Sequence, residues 1–273
     1  MYDAHPQMMM QRARGRVLVA LGPDGRGRLG LRDLAQSGSA KAFLPSIHAP
    51  VPEVVFLNTS GGLTGGDDLE FRLDLGAGAR AVATTQTAER AYASGGGRAA
   101  MRVLMQVGAG GALDWLPQET ILYEGSGLAR LTRVDLAPDA RLLMAEMVVL
   151  GRAAMGETVT DLAFSDRREV WRAGRPVWVE PFALDTPALR PSAALLQGAR
   201  AFATLAFVAP GAEAAVNALR ALTLPDVSFA VSGWDGRLIL RAHAADGLPL
   251  KRGLAAILKI LRQGAPLPRV WQI

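Results

Sequence analysis

The sequence predicts a mainly β protein, with stacked strands wound as a β-helix or solenoid and a small helical part of two helices near the C-terminus. A recurring turn is the first reason. Leu75-Gly76-Ala77-Gly78-Ala79-Arg80, Val107-Gly108-Ala109-Gly110-Gly111-Ala112 and Leu136-Ala137-Pro138-Asp139-Ala140-Arg141 each place an apolar residue, a tight turn and then a new strand. Their spacing of roughly 30 residues is a period of stacked units that cover one another's hydrophobic faces. The second reason is Asp68 to Leu75, which alternates polar and apolar without a break, so one face is buried and the other wet. Helical periodicity, the third, is confined to two late stretches.

Taken in order, residues 1–13 read as a flexible N-terminus and 14–273 as one β-rich domain. Arg16–Leu21 and Arg26–Arg32 read as a hairpin turning at Gly22-Pro23-Asp24-Gly25. Leu34 to Pro52, with Pro45, Pro50 and Pro52, reads as extended loop, with His48 as a polar loop residue. Strands follow at Ala99–Val107, Thr120–Tyr123 and Leu128–Leu136. Ala93-Ser94-Gly95-Gly96-Gly97 joins two of them as a mobile loop. Thr158–Phe164 and Glu169–Trp171 continue the alternation, and Val177–Glu180 pairs back after a turn at 172–176. Pro181 to Pro191 reads as a passage across the surface, and Phe202–Val208 as a strong strand. The helices are Ala212–Leu222 and Leu250–Gln263. The second ends at Gly264, as a glycine ends helices. Between them Val227–Ser232 and Arg237–Arg241 form a hairpin turning at Trp234-Asp235-Gly236.

Composition narrows the function. Half the 273 residues are hydrophobic, enough for a sizeable core, yet no apolar run reaches membrane-span length. The chain reads as cytoplasmic. Cysteine is absent and histidine occurs only at positions 5, 48 and 243, so thiolate metal sites are excluded and an imidazole-built one is disfavoured. The net charge of +5 comes almost wholly from scattered arginines. That scatter fits a solvated surface or acidic protein partners better than nucleic acid.

One loop is chemically unusual. Leu57 to Leu69 holds Gly61, Gly62, Gly65 and Gly66 and ends on Asp67-Asp68. No helix and no lysine follow, so it is a poor phosphate cradle. It reads either as a turn with solvated carboxylates or as a loop holding a carboxylate near a partner or a passing cation. Alternation after Asp68 puts Asp68, Glu70, Arg72 and Asp74 on the wet face and Asp67 on the buried side.

Asn58-Thr59-Ser60-Gly61-Gly62-Leu63-Thr64-Gly65-Gly66-Asp67 resembles the N-x-x-G-G-x-x-x-G-D signature of the urease accessory protein UreD (UreH) family. Further stretches agree in the family's order: Thr84-Thr85-Gln86 with Glu89, Arg90 and Tyr92; Leu116-Pro117-Gln118-Glu119-Thr120-Ile121; Glu146 with Gly151-Arg152 and Gly156-Glu157; and Leu240-Arg241-Ala242 with Pro268-Arg269-Val270-Trp271. The resemblance spans residues 14–271. It implies a β-helical body with no enzymatic activity of its own. It also implies a scaffold that holds apo-urease and recruits UreF, and through UreF the GTPase UreG, while nickel reaches urease by a passage inside the protein. Ni²⁺ would then be transient cargo, carried by oxygen ligands that bind a borderline metal less firmly than thiolate or imidazole. Asp67, Glu89, Glu119, Glu146 and Glu157 stand on motif positions and are the candidates to line that passage. Two rival readings are a small-molecule enzyme using the glycine loop and Asp67, and an interaction module without a metal role.

Overall fold

A computed structural model describes residues 12–24, 26–46, 51–190 and 196–271. His5, His48 and nearly all of the N-terminal stretch read as flexible fall outside these residues. The chain is a β-solenoid. Its strands are β1 (Arg14–Pro23), β2 (Leu29–Gly38), β3 (Ala40–Phe43), β4 (Glu53–Asn58), β5 (Asp68–Leu75), β6 (Arg80–Thr85), β7 (Glu89–Ala91), β8 (Ala99–Val107) and β9 (Ala112–Trp115). Then come β10 (Thr120–Leu122), β11 (Ser126–Leu136), β12 (Arg141–Leu150), β13 (Leu162–Arg172), β14 (Arg175–Asp185), β15 (Ala201–Val208), β16 (Val227–Trp234) and β17 (Arg237–Ala244).

Each coil runs up one sheet, crosses a tight turn, runs along the other sheet and loops back. The first sheet has the order β14-β13-β11-β8-β5-β1-β2. In the second, β16-β17-β15-β12-β9-β6-β4-β3 lie side by side, and β10 pairs with β7 and β12. Strands stacked by winding are parallel, as β5 is to β8 and β8 to β11. Antiparallel strands close the margins: β2 on β1, β14 on β13 and β15 on β12.

The repeated turn is the stacking unit. Gly76 N–H donates to the Leu21 carbonyl at 2.8 Å and Gly108 N–H to Leu75 at 2.8 Å. Ala137 N–H reaches Val107 at 2.9 Å and Ala173 N–H reaches Leu136 at 3.1 Å. Coil sits on coil so tightly that a Cβ at Gly108 would lie 2.8 Å from the backbone of Gly76 and Ala77.

Inward-facing Phe56, Phe71 and Trp115 form the central core, with Phe56 and Phe71 stacked at 5.1 Å. The outer face of the second sheet is covered by helix α2. In chain order α1 is Val216–Arg220, a short turn after a 3₁₀ segment at Ala212–Ala215, and α2 is Gly247–Leu261. Leu250, Leu254, Ile257, Leu258 and Leu261 of α2 pack on the sheet. Lys251 of α2 meets Glu119 at 3.2 Å, and Arg262, the residue that caps its C-terminal end, meets Asp114 at 2.7 Å.

Several expectations need correction. The passage from Leu34 begins as strand rather than loop: β2 runs on to Gly38 and β3 follows, because their backbone groups pair with β1 and β4, and its described residues beyond Phe43 are irregular, as expected. Likewise Pro181 does not end β14. It lies in a margin strand, where a missing N–H is tolerated. The helix expected over 212–222 is shorter and begins as 3₁₀: Ala212–Ala215 is a 3₁₀ turn and only Val216–Arg220 is α-helical. Thr158–Phe164 and Glu169–Trp171 belong partly to one strand, β13, whose charged middle had looked like a gap.

Candidate functional site

The glycine loop joins β4 to β5 at one end of the solenoid. Gly62 has φ +155°, and a Cβ there would lie 2.3 Å from the Tyr92 ring. Tyr92 seals the loop, its hydroxyl donating to the Gly61 carbonyl at 3.2 Å, while Leu63 N–H donates to Arg90 at 2.7 Å. Asp67 is 5% exposed, on the buried side as expected. Asp68 faces outward to Arg102 at 2.6 Å. Both Asp67 oxygens accept backbone N–H groups, from Ala13 and from Thr64, each at 2.8 Å. Asp67 therefore fixes the loop and the entry to β1. The Ala93–Gly97 loop is also held, by Thr64 Oγ1 on the Ala93 carbonyl at 2.9 Å and by Ser94 N–H on Gly125 at 2.9 Å.

Glu89 lies just inside that end. Asn58 Nδ2 donates to its carboxylate at 3.2 and 3.4 Å, beside a cavity of about 30 Å³ reaching Phe71. Burial pushes the Glu89 carboxyl up to about 7, with the Asn58 amide pulling the other way. In the β7–β10 register Glu89 stands beside Thr120. Thr120 Oγ1 accepts Arg130 Nη1 at 3.0 Å.

From Arg130 a row of charges runs through the interior between the sheets. Arg130 is bound by Asp166, Nε to Oδ1 at 2.9 Å and Nη2 to Oδ2 at 2.6 Å. Asp166 also accepts from Arg168. Glu146 reaches in from the second sheet. It accepts Trp115 Nε1 at 3.1 Å, Thr132 Oγ1 at 2.8 Å and Arg168 Nε at 2.8 Å, with Arg130 at 3.4 Å. Burial alone would raise the Glu146 carboxyl, but the two arginines and the hydrogen bonds hold it down at about 2. Arg168 continues to Glu180 at 3.1 Å, and Glu180 to Arg241 Nε at 2.8 Å. Three cations and three carboxylates alternate here. The row opens into a cavity of about 400 Å³ lined by Arg168, Glu180, Arg241 and the rings of Phe182, Phe202 and Phe229.

The tertiary fold thus brings Glu89 and Glu146 to the inner face and leaves the other three elsewhere. Asp67 is occupied at the loop. Glu119 points out beneath α2 toward Lys251. Glu157 sits at a turn end, paired to Arg152 at 2.8 Å, which with its other hydrogen bonds lowers its carboxyl. Sequence reasoning missed Arg130, Asp166, Arg168, Glu180 and Thr132. One signal was available for four of them: Arg130 and Thr132 in β11 and Asp166 and Arg168 in β13 fall on the inward step of the alternation, between Leu128 and Val134 and between Phe164 and Val170. Among the described residues no group of three or more His, Cys, Asp or Glu side chains is arranged to hold a metal ion, and no helix is long and apolar enough to cross a membrane.

Residues 13–272 match the family described as UreD urease accessory protein. A protein named urease accessory protein UreD from Cereibacter sphaeroides (strain ATCC 17025) is 59% identical over 270 residues, covering 98% of each chain. Proteins of the same name from Dinoroseobacter shibae and Paracoccus denitrificans are 56% and 51% identical. They cover 97% and 100% of this chain and 94% and 97% of their own. The chain belongs to the UreD family of urease accessory proteins.

Proposed function

We propose that this chain is a non-catalytic scaffold in urease maturation. It binds apo-urease and UreF, with UreG joining through UreF, and it assists the passage of Ni²⁺ into the urease active site. Family membership supports the maturation role. The observation that supports the passage is the polar row crossing an otherwise apolar core, from Asn58 and Glu89 through Thr120, Arg130 and Glu146 to Glu180. Burying such charges is expensive, and well-packed apolar residues in their place are often at least as stabilising. A row kept at that cost fits a polar path. Its carboxylates are shared with arginines, so a cation meets oxygen ligands already in competition and is held weakly. The rival enzyme built on the glycine loop loses its acid–base group, because both Asp67 oxygens are taken by backbone N–H groups.

Co-expression tests the reading. The wild-type chain should pull down UreF and apo-urease, and Glu89→Ala should leave that complex assembled while lowering urease activation. A complex that forms with undiminished activation for both Glu89→Ala and Glu146→Gln would leave only the interaction module.

A further inference from the structure

The interior row ends on a cation that stands mostly in solvent. Glu180 stands on β14 at the margin of the first sheet and Arg241 on β17 of the second, so their ion pair spans the gap where the sheets part. The Glu180 side chain is 11% exposed and divides its oxygens, Oε2 accepting Arg168 Nη1 and Oε1 accepting Arg241. The two arginines differ in kind. Arg168 is 2% exposed and tied to Glu146 and Asp166 as well, whereas the Arg241 side chain is 64% exposed. Among the described residues Glu180 is the one carboxylate that Arg241 meets. The cavity of about 400 Å³ lies against this pair, with room for several waters at about 30 Å³ each.

We infer that Arg241 is a displaceable plug. It occupies the Glu180 oxygen that a divalent cation would take, and it swings into solvent when the cation arrives. The inference rests on the interior row being a nickel passage and adds how the passage is closed. A guanidinium does not deprotonate, so this end opens by motion rather than titration. The arginine side of this pair stands in solvent, where water can replace the carboxylate as its partner. Once Arg241 leaves, the row carries one negative charge in excess at the cavity wall. His243 lines the same cavity and offers an imidazole nitrogen as a second ligand. The phenylalanine rings around them offer none, so the cation is received and released rather than trapped.

The test titrates NiCl₂ into the purified full-length chain by calorimetry or equilibrium dialysis. Arg241→Gln should tighten Ni²⁺ binding about tenfold over wild type, and adding Glu180→Gln should erase the gain. Arg241→Lys, which keeps the charge, should bind like wild type. No gain in Arg241→Gln overturns the plug, as does a gain that survives Glu180→Gln. Urease activation with the full accessory set separates this inference from the passage itself. If Arg241→Gln tightens binding through Glu180 while Glu180→Gln activates urease normally, the plug stands and the passage reading falls. If Glu180→Gln lowers activation but Arg241→Gln leaves Ni²⁺ binding unchanged, the passage stands and the plug falls.

Discussion

Glu146→Gln probes the buried row most directly. The substitution keeps size and shape but removes the charge facing Arg130 and Arg168. Those arginines are left with Asp166 and Glu180, and the row as a whole, Arg241 included, then holds three cations against two carboxylates. Breaking a buried pair by removing one partner costs about 3–5 kcal/mol. The electrostatics of the site point to the same order: a carboxyl held down at about 2 rather than 4.5, at about 1.4 kcal/mol per unit, corresponds to about 3 kcal/mol. A folded-state value below the unfolded one places this stabilisation above pH 4.5, with loss as pH falls through 2. Glu146→Gln should therefore lose about 3–5 kcal/mol at pH 7 in urea denaturation, and its deficit against wild type should shrink steadily below pH 4.5. A deficit under about 1 kcal/mol at pH 7, or one that stays constant down to pH 2.5, would refute the claim that Glu146 is held ionised by the arginines.

Other outcomes follow from the same geometry. Glu89 has its carboxyl raised, so the folded state binds more protons than the unfolded one between pH 4.5 and 7, and stability falls as pH rises through that window. Glu89→Gln, which retains the contact with Asn58, should flatten that fall, read as a smaller difference in melting temperature between pH 5 and pH 8. Gly108→Val should cost about 1–3 kcal/mol or more, because the added carbons meet backbone of the neighbouring coil rather than a side chain that can move; the denaturation midpoint checks it. Leu254→Ala, at a buried site on the sheet-facing side of α2, should cost about 2–5 kcal/mol, with faster hydrogen exchange in α2 than in β8 and β11.

Much of the architecture was legible in the residues. The turn at roughly 30-residue intervals marks coils that stack, and it needed no partner to be seen. The strict alternation of Asp68–Leu75 correctly put Asp67 inside and Asp68 outside. Pro181 misled in the opposite direction, since proline marks loops in general but is tolerated at sheet margins, and only the pairing of strands says which strands are margins. Asp166-Arg167-Arg168 misled for a related reason. Charges in the middle of a strand look like an interruption until the partners that neutralise them are in view.

What the sequence determined by itself was the local chemistry: where the chain turns, which faces are apolar, and that no thiolate can bind metal. What tertiary structure alone decided was which charged groups meet. Arg130, Glu146, Asp166, Arg168, Glu180 and Arg241 come from five strands and both sheets. Their pairing depends on the register of one coil over the next, and ionic contacts at this range are set by distances in space that no spacing along the chain encodes.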